Sequence, residues 1–335
     1  MEFGPVPVRD ATGAVLAHSL MLEGRRLRKG RVLAETDIAA LAAAGIAEVT
    51  VARLGPGDVG EDSAAGRIAA ALAPAPAEAG LRLTEPFTGR VNLHAERPGV
   101  LGLDRAAVDR LNALDPAVTL ATLPPLARVT PGTMVGTVKI ITYAVPGDVV
   151  ARAERLADAA LTVHPVTLRS ATLILTATPG QPDKLAEKGR RAVASRLDAL
   201  GIALLASPLV AHRTAELSAA LAAAEGDLVL VLTGSATSDP NDVGPAALVA
   251  AGGRLTRFGM PVDPGNLLFL GEFGGRPIIG LPGCARSPAL NGADWVLERI
   301  ACGLDVTDAD IAEMGVGGLL TESPARPHPR DKRPG

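Results

Sequence analysis

Residues 227–250 read DLVLVLTGSATSDPNDVGPAALVA, and this stretch decides the fold of the chain. Residues 227–231 have the continuous apolar pattern of a buried strand, and residues 246–250 favour a helix. A loop of small and polar residues lies between them. In open α/β sheets, ligands bind beyond the carboxyl ends of the strands. The stretch therefore predicts a strand, a ligand-binding loop and a helix.

The loop combines groups that suit an anion with groups that suit a cation. Backbone N–H groups of small residues can approach an anion closely, and the following helix adds the positive end of its dipole. Asp239 and Asp242 supply carboxylates for a metal or a proton. The pattern favours a phosphate or nucleotide site, and its alternative is a solvated turn with acidic helix caps. The residues predicted to form the anion cradle are Thr233, Gly234, Ser235, Ala236 and Thr237.

Around this loop, the second half of the chain alternates between strands and helices. Strands are predicted over residues 172–176, 202–206 and 227–232, and helices over residues 183–200 and 215–224. Such alternation implies a parallel sheet with helices on both faces. We therefore expect an α/β domain over residues 166–305, with three layers, α/β/α, around a mostly parallel sheet.

This domain is predicted to end in a hairpin and a long helix. Residues 267–270 and 277–280 bracket Gly274-Gly275 as the two strands of a hairpin do. Residues 287–302 have the spacing of a last helix, with Ser287 placed as its cap. The remaining tail is rich in Pro and Arg, so residues 323–335 are predicted to be disordered.

Residues 1–165 mix short strands with short helices and predict a smaller α+β domain of unknown role. Pro74 and Pro76 indicate a linker or an exposed loop. The domain boundary is placed near Pro165, where the irregular pattern gives way to regular alternation. Helices are predicted over residues 38–44, 104–114 and 148–160, and strands over residues 46–51 and 135–144.

Composition excludes several classes of protein. The chain has 335 residues, enough for two domains, and because 47% are hydrophobic but only 2% aromatic, its cores must be aliphatic. A formal charge of −3 offers no basic surface for nucleic acid. The sequence has no apolar run of transmembrane length and no signal-peptide pattern at its start. We therefore expect a cytoplasmic protein with neither a nucleic-acid nor a membrane partner.

The Cys and His residues predict no metal site. Cys284 and Cys302 are too far apart in sequence to form a Cys-x-x-Cys pair. The five histidines are also widely spaced, and none has a second ligand at helical spacing. Each histidine is expected to be a surface or hydrogen-bonded residue.

Three motifs, in this order, resemble those of the molybdopterin-binding superfamily. Its first loop reads Thr-Gly-Gly-Thr-Gly, four variable residues, then Asp-Val-Thr-Pro-Glu-Ala. The residues that match this loop are Thr233, Gly234, Asp242, Val243, Pro245 and Ala247. Residues 258–266 (FGMPVDPGN) resemble the family's Gly-x-x-x-x-Pro-Gly-Lys-Pro, and residues 277–283 (PIIGLPG) resemble its Pro-Val-Phe-Gly-Leu-Pro-Gly. Over residues 171–303 the chain thus resembles a family that includes molybdopterin adenylyltransferases and molybdopterin molybdenumtransferases.

The resemblance implies a site as well as a fold. The ligand would be molybdopterin, which carries a terminal phosphate and a dithiolene. Asp242 corresponds to the family's aspartate at the magnesium and phosphate end, which makes it the candidate catalytic residue and Mg²⁺ ligand, with Asp239 as a second ligand. ATP would be the co-substrate if molybdopterin is adenylylated. The other residues implied to bind the ligand are Pro264, Gly265, Pro282, Gly283, Cys284, Arg286 and Ser287.

Several of these residues have a plainer alternative. Cys284 lies beside a helix start and Arg286, and both would lower the pKa of its thiol. The resulting thiolate would contact the dithiolene or molybdenum. Cys284 could equally be an ordinary small loop residue. Gly283 and Ser287 could form a second phosphate cradle or simply cap a helix, and Asp242 could also be a helix cap.

The sequence predicts a molybdopterin-binding protein of molybdenum cofactor biosynthesis. It would hold molybdopterin or the mature cofactor for a partner, such as a nucleotidyltransferase. The alternatives are a Mg²⁺-dependent molybdopterin adenylyltransferase, a molybdate-inserting enzyme and a pyrophosphatase on another nucleotide. Departures from the family motif at Ser235 and Thr237, where the family has glycine, and at Ala246, where it has an acidic residue, favour binding over catalysis. Because members of the superfamily are commonly dimers or trimers, we also expect a homo-oligomer.

Overall fold

The computed structural model of the protein describes residues 1–22 and 24–320. The chain divides into two compact units, Met1–Pro165 and Val166–Gly335. The tail predicted over residues 323–335 lies outside the described residues. Within the described ranges, no helix is both long enough and apolar enough to cross a membrane.

The first unit is built from short antiparallel strands and helices. Its described residues form five α-helices. Its strands are β1 (Glu2–Pro7), β2 (Val15–Leu16), β3 (Leu20–Leu22), β4 (Arg25–Leu27), β5 (Glu48–Arg53), β6 (Asp58–Gly60), β7 (Leu81–Leu83), β8 (Arg90–Ala95), β9 (Gly99–Leu103), β10 (Val118–Thr122), β11 (Arg128–Val129), β12 (Met134–Ile140), β13 (Ala144–Pro146) and β14 (Leu161–Pro165). Its helices are α1 (Glu35–Ala43), α2 (Glu61–Leu72), α3 (Pro76–Ala79), α4 (Arg105–Asn112) and α5 (Gly147–Ala157).

The strands of this unit form several small sheets instead of one. Their orders are β1-β5-β2, β10-β12-β8-β7, β11-β9-β14, β13-β6 and β3-β4. The small sheets surround two aliphatic clusters. One cluster lies in the first fifty residues around Leu16, Leu33 and Leu41, and the larger one is centred on α2, with Ile68 and Leu72 fully buried. This arrangement agrees with the mixed composition expected of the first half.

Local differences from the predicted elements of the first unit have identifiable causes. Helix α1 begins three residues before the predicted start, because the Asp37 carboxylate accepts a hydrogen bond from the backbone N–H of Ala34 (3.1 Å). The segment predicted as a loop at Pro74 and Pro76 contains α3, which places Pro76 at its first position, where a missing N–H costs nothing. The strand predicted over residues 135–144 is divided between β12 and β13.

The second unit contains one seven-stranded sheet. Its strands are β15 (Ser170–Ala177), β16 (Ala203–Ala206), β17 (Leu209–Ala211), β18 (Leu228–Leu232), β19 (Arg254–Phe258), β20 (Phe269–Phe273) and β21 (Arg276–Leu281). Its helices are α6 (Asp183–Asp198), α7 (Thr214–Ala223), α8 (Val243–Ala250), α9 (Gly292–Ala301) and α10 (Asp308–Glu313). The strand order is β16-β15-β18-β21-β20-β19, with β17 also beside β15.

The sheet is parallel in its centre and antiparallel at one side. Strand β15 is parallel to β16, β17 and β18, and β18 is parallel to β21. Strands β19, β20 and β21 pair in antiparallel fashion, and the predicted hairpin turns at Gly274 and Gly275. Every residue of β18 is buried, as its continuous apolar run predicted.

Helices cover this sheet through aliphatic contacts. On one face, α7 and α8 pack in a cluster with Ile174, Val231 and Phe269. Helix α6 approaches β18 and β15 closely at Gly189, where a Cβ atom would lie 2.6 Å from Cδ2 of Leu232. The second unit is therefore a mixed α/β structure whose sheet contains the predicted strands together with β17 and β19.

The last predicted helix is wrong at its start. The sequence placed it over residues 287–302 with Ser287 as cap, whereas α9 begins at Gly292 and is capped by Asn291, whose side chain accepts from Ala293 N (3.0 Å). A short 3-10 helix, Gly283–Arg286, precedes it, and Ser287 follows that turn. Ser287 therefore does not cap α9.

Candidate functional site

The three segments that carry the predicted site emerge at one edge of the sheet. Parallel pairing brings the carboxyl ends of β15, β18 and β21 to the same edge. Because Phe269 pairs with both Phe258 and Gly280, the connection from β19 to β20 lies at this edge too. Residues 233–242, 259–268 and 282–291 therefore form neighbouring loops, which we call the edge loops.

The first edge loop is attached to β15 by side-chain hydrogen bonds. The backbone N–H of Gly234 donates to Oγ1 of the buried Thr176 (2.8 Å). Gln181 accepts from the N–H of Thr178 through Oε1 (3.0 Å) and donates from Nε2 to the carbonyl oxygen of Gly234 (3.2 Å). These contacts hold the start of the loop against the neighbouring strand.

Glycine at position 234 is required by this packing. A Cβ atom there would lie 2.6 Å from Oε1 of Gln181 and 2.7 Å from the carbonyl oxygen of Thr176. A side chain at this position would thus meet protein atoms, whereas the sequence predicts that the small residue leaves room for an anion. A bulky residue at position 234 would clash with Gln181 and Thr176 and displace the loop, whether or not a ligand is bound.

The middle of the same loop offers backbone donors. Among the residues that the structure describes, no hydrogen bond uses the backbone N–H groups of Ser235, Ala236 or Thr237. Ser235 and Ala236 are exposed. The loop keeps its shape through Thr233, whose hydroxyl donates to the carbonyl oxygen of Ser235 (2.7 Å) and lies 3.3 Å from the hydroxyl of Thr237. Three successive N–H groups in a small-residue loop are a suitable cradle for an anion.

Asp242 and Asp239 both bind the backbone of their own loop. Asp242 caps α8, and its two carboxylate oxygens accept from Val243 N (2.7 Å) and Ser238 N (3.1 Å). Oδ1 of Asp239 accepts from both the backbone and the side-chain nitrogen of Asn241 (2.7 and 2.9 Å). The capping role considered for Asp242 is therefore present. Across residues 1–22 and 24–320, no group of three or more His, Cys, Asp or Glu side chains could hold a metal ion.

Arg286 joins the first edge loop to the last one. One of its terminal nitrogens donates to the carbonyl oxygen of Thr233, at the end of β18. The side chain is half-buried, its Nε atom is buried without a hydrogen-bond partner, and no carboxylate of the described residues pairs with it. Burial lowers the pKa of the Arg286 guanidinium, because the charged form loses hydration there.

The last edge loop is shaped by Arg196 of α6. Its guanidinium donates to the carbonyl oxygens of Ala285 (3.0 Å), Ser287 (2.8 Å) and Ala289 (3.0 Å). These bonds keep residues 285–289 out of an α-helix, which explains why α9 starts later than predicted. Gly283 is exposed at the beginning of this loop, after the buried Pro282.

Cys284 does not have the electrostatic setting that the sequence suggested. It is half-buried, and burial raises the pKa of its thiol, with Arg196 lowering it and Asp294 and Asp263 raising it to smaller extents. A lowered pKa was the basis for a reactive thiolate at this position. In the structure, Cys284 instead lies in the short 3-10 helix Gly283–Arg286, where burial favours the protonated thiol. Cys302 is buried.

Pro264 and Gly265 lie against the start of α9. The backbone N–H of Gly292 donates to the carbonyl oxygen of Pro264 (2.8 Å). Gly265 is buried, and a Cβ atom there would lie 2.6 Å from the nitrogen of Gly292. Both residues therefore position the middle edge loop on α9, and Gly265 is not exposed for contact with a ligand.

His212 and Thr176 hold the start of the first edge loop, a role that the sequence did not predict. Nδ1 of His212 lies 2.8 Å from Oγ1 of Thr176, which in turn accepts from Gly234 N. His212 follows β17, a strand that was not predicted because it is only three residues long. No local pattern links residues 176, 212 and 234, so only the pairing of β17 with β15 shows the contact.

Comparisons with known proteins show only partial or weak similarity. A protein-family model described as "Domain of unknown function (DUF8806)" matches residues 5–53. No curated protein matched the chain.

Among solved structures, the chain is similar to the molybdopterin biosynthesis MoeA protein from Pyrococcus horikosii, with 13% identity and a TM-score of 0.32, over 93% of this chain and 77% of that one. It is also similar to a molybdenum cofactor biosynthesis protein from Pyrococcus furiosus, with 13% identity and a TM-score of 0.24, over 93% and 65% of the two chains. It is also similar to MogA, with 22% identity and a TM-score of 0.27, over 40% of this chain and 91% of that one. At these TM-scores the likeness carries no argument about this chain.

Proposed function

We propose that the second unit binds a phosphate-bearing pterin, molybdopterin or the mature molybdenum cofactor, at its edge loops. In this proposal the unit is a three-layer α/β/α domain that holds the ligand for a partner protein of cofactor biosynthesis. The class of ligand rests on the three ordered motifs that resemble the molybdopterin-binding superfamily. The observation that carries the binding site is the environment of Arg286.

Arg286 supports an anionic ligand because its charge has no partner of opposite sign among the described residues. A half-buried guanidinium normally pairs with a carboxylate, since an unpaired charge away from water is costly. A ligand phosphate would supply the missing charge and accept hydrogen bonds from the guanidinium. The buried Nε atom of Arg286, which has no hydrogen-bond partner among the described residues, could donate to an oxygen of that phosphate.

The free donors of the first edge loop fit the same ligand. Arg286 bonds to Thr233, so its guanidinium lies next to the loop that contains the N–H groups of Ser235, Ala236 and Thr237. A phosphate bound by these groups would receive both backbone and charged hydrogen bonds. This combination is common where proteins bind phosphate without a Gly-Lys-Ser/Thr loop.

The enzyme alternatives place a different demand on the site. Adenylyl transfer from ATP, molybdate insertion or pyrophosphate hydrolysis would require Asp242, with Asp239, to hold Mg²⁺. Mg²⁺ can bind to one or two carboxylates when substrate phosphates complete its coordination. Both aspartates already accept hydrogen bonds from their own loop, and the family's acidic residue at position 246 is alanine here. We therefore prefer the binding function over the catalytic ones.

The experiment that tests the proposal compares molybdopterin binding by the wild type, Arg286→Lys and Arg286→Gln. Loss of a charge-assisted hydrogen bond should weaken binding by about 10-fold to 100-fold in Arg286→Gln. The molybdopterin affinity of Arg286→Lys should lie between those of the wild type and Arg286→Gln, because lysine keeps the charge but lacks the planar guanidinium. Arg254→Gln is the matched control, since Arg254 is exposed and pairs with Glu272 at the opposite end of the sheet.

A second measurement separates binding from catalysis. The wild-type protein is incubated with molybdopterin, ATP and Mg²⁺, and the pterin products are separated by chromatography. Tight binding without an adenylylated product supports the binding function, and product formation supports the transferase. Equal molybdopterin affinity in the wild type and a folded Arg286→Gln variant would refute the proposed site.

A further inference from the structure

We propose that His212 donates a hydrogen bond from Nε2 to the heterocycle of the ligand, at the end of a hydrogen-bond chain that starts at Arg286. The inference rests on the proposed function and adds to it a contact that the sequence motifs do not imply. His212 directly follows β17, so it lies at the edge of the sheet where the edge loops emerge.

The peptide group between Thr233 and Gly234 is bound on both sides. Arg286 donates to its carbonyl oxygen, and its N–H group donates to Oγ1 of Thr176 (2.8 Å). This peptide bond is trans, so its C=O and N–H groups point in opposite directions. Arg286 therefore lies on one side of the first edge loop, and Thr176 with His212 lies on the other side.

The packing of the two side chains agrees with this placement. A Cβ atom at Gly189 of α6 would lie 3.5 Å from Cγ of Arg286, so Arg286 is on the α6 side of the sheet. Thr176 is on the same face of β15 as Ile174, which packs in a cluster with α7 and α8. A ligand that contacts both Arg286 and His212 must therefore extend across the end of the sheet.

The hydroxyl group of Thr176 fixes the tautomer of His212. Thr176 is buried, and within the described ranges its Oγ1 contacts only Gly234 N and Nδ1 of His212, the latter at 2.8 Å. The Gly234 N–H can only donate, so the hydroxyl proton goes to Nδ1, because a buried hydroxyl proton without an acceptor is costly. Nδ1 is then an acceptor, and the imidazole proton lies on Nε2.

The three hydrogen bonds run in one direction. The Arg286 guanidinium, the peptide group and the Thr176 hydroxyl each donate to the next group. Bonds in such a chain polarise one another, so the charge of Arg286 strengthens every later donor. The last donor is the Nε2–H of His212, which lies on the side of the ring away from Thr176. His212 is partly exposed, and no acceptor in the described part of the chain bonds to this N–H.

The two ends of the chain suit different parts of one ligand. The charged guanidinium of Arg286 suits a phosphate, whereas the uncharged N–H of His212 suits a neutral acceptor. Molybdopterin has its phosphate at one end and its pterin rings, with a carbonyl oxygen and ring nitrogens as acceptors, at the other. With the phosphate at Arg286, the heterocycle lies at His212.

The test compares the wild type with His212→Asn in their affinities for molybdopterin and for inorganic phosphate. Oδ1 of asparagine can replace Nδ1 as the acceptor for Thr176, but no atom replaces Nε2. The variant should bind molybdopterin about 3-fold to 10-fold more weakly, as expected for the loss of one neutral hydrogen bond. It should bind phosphate as the wild type does. His94→Asn, on β8 of the first unit, is the matched control and should change neither affinity.

Long-range ¹H–¹⁵N spectra of the histidine side chains test the same contact in the wild type, so this measurement needs no variant. At about pH 8, where an ordinary imidazole is uncharged, His212 should carry its proton on Nε2. Molybdopterin should shift the Nε2 signal. Inorganic phosphate should not shift it, at a concentration that shifts the backbone amides of residues 235–237.

Several outcomes would overturn the proposal. A proton on Nδ1 in the free protein contradicts the hydrogen-bond chain, whatever the ligand. Equal molybdopterin affinity in the wild type and His212→Asn, or an Nε2 signal that phosphate shifts or molybdopterin does not, contradicts the contact. An equal loss of phosphate and molybdopterin affinity in His212→Asn would show a merely structural role.

The same measurements separate this inference from the proposed function. If Arg286→Gln weakens molybdopterin binding and His212→Asn does not, only the role of His212 is refuted. If the wild type does not bind molybdopterin, the proposed function and the role of His212 are refuted together.

Discussion

Arg196 and Asp294, 98 residues apart in the chain, form an ion pair with 2.6 Å between Nε and Oδ1. Both side chains are nearly nine-tenths buried, with 12% and 11% exposed. Asp294 also accepts from the backbone N–H of Asn291 (2.8 Å), which completes the cap of α9. The pair therefore connects α6, the last edge loop and the start of α9.

Removing this pair should destabilise the second unit and release the loop. Arg196→Ala leaves the Asp294 carboxylate without its counter-charge, and breaking a buried pair costs about 3 to 5 kcal/mol. It also leaves the carbonyl oxygens of Ala285, Ser287 and Ala289 without their donor. Urea unfolding at pH 7 measures the loss, and molybdopterin titration should show weaker binding.

Lys188→Ala provides the control for Arg196→Ala. Lys188 is exposed on the same helix, so its removal should change the free energy of unfolding by less than about 0.5 kcal/mol. Similar stabilities for the two variants would contradict a structural role for the ion pair.

The same region shows which features could be predicted from sequence. The core strands β15 and β18 were predictable because a strand buried on both faces is largely an apolar run, and β21 because it follows the Gly274-Gly275 turn. The hairpin was predictable because a Gly-Gly pair between two apolar segments indicates a tight turn. Both glycines have the positive φ angles that such a turn requires. These signals are local, so a single sequence contains them.

The start of α9 could not be predicted in this way. Ser287 and Asn291 are both good caps, and local preference does not choose between them. The choice depends on Arg196, which binds the carbonyl oxygens of residues 285, 287 and 289 from another helix. The contact between His212 and Thr176 is equally non-local. The candidate site was therefore predictable as a set of loops, but the residues that hold those loops were not.

Thr176 provides a second prediction. Thr176→Val keeps the shape of the side chain but removes the hydroxyl that accepts from Gly234 N and contacts His212. A buried donor left without a partner costs about 1 to 3 kcal/mol. We expect this loss in urea unfolding, together with weaker molybdopterin binding, because the first edge loop is no longer attached to β15.

Thr176→Ser keeps the hydroxyl and is the matched variant. It should retain the molybdopterin affinity of the wild type even if the lost methyl group lowers stability. If Thr176→Ser and Thr176→Val bind molybdopterin equally well, the hydrogen bond does not position the loop.

Asp227 provides a pH-dependent prediction at the other end of the sheet. Its carboxylate accepts from Arg169 N (2.8 Å), Ser170 N (2.9 Å) and Ser170 Oγ (3.1 Å), which joins the starts of β15 and β18. These hydrogen bonds lower its pKa, with the Arg169 N–H contributing most. A group whose pKa is lower in the folded state stabilises the fold above its unfolded pKa of about 3.9. This contribution is lost as the pH falls through the folded pKa.

Asp227→Asn should therefore be less stable than the wild type at pH 7, and the difference should shrink below about pH 4. Unfolding curves at several pH values measure this trend. Asp198→Asn, at an exposed position of the same unit, should show no comparable loss at pH 7. A stability difference for Asp227→Asn that is the same at pH 7 and at acid pH would contradict the assignment.

Substitution of Asp242 and of Asp239 tests whether the first edge loop holds Mg²⁺ or only binds the ligand. Asp242 uses both carboxylate oxygens, on Val243 N and Ser238 N, so an amide can replace only one of them. Asp242→Asn should lose about 0.5 to 1.5 kcal/mol of stability through the missing bond. Asp239 receives both of its contacts at Oδ1, so Asp239→Asn can keep them and removes only charge.

The two variants give different results for each function. If the carboxylates hold Mg²⁺ at a transferring group, Asp242→Asn should lower turnover by about 10²-fold or more, and Asp239→Asn should weaken Mg²⁺ dependence without loss of stability. If the loop only binds the ligand, no protein forms an adenylylated product, and Asp242→Asn should weaken molybdopterin binding with or without Mg²⁺ because the loop is less ordered. Measurements of affinity, product and stability for both variants separate these cases. An Asp242→Asn protein equal to the wild type in all three would exclude a role for the Asp242 charge at the site and show that its bond to Ser238 N adds no measurable stability.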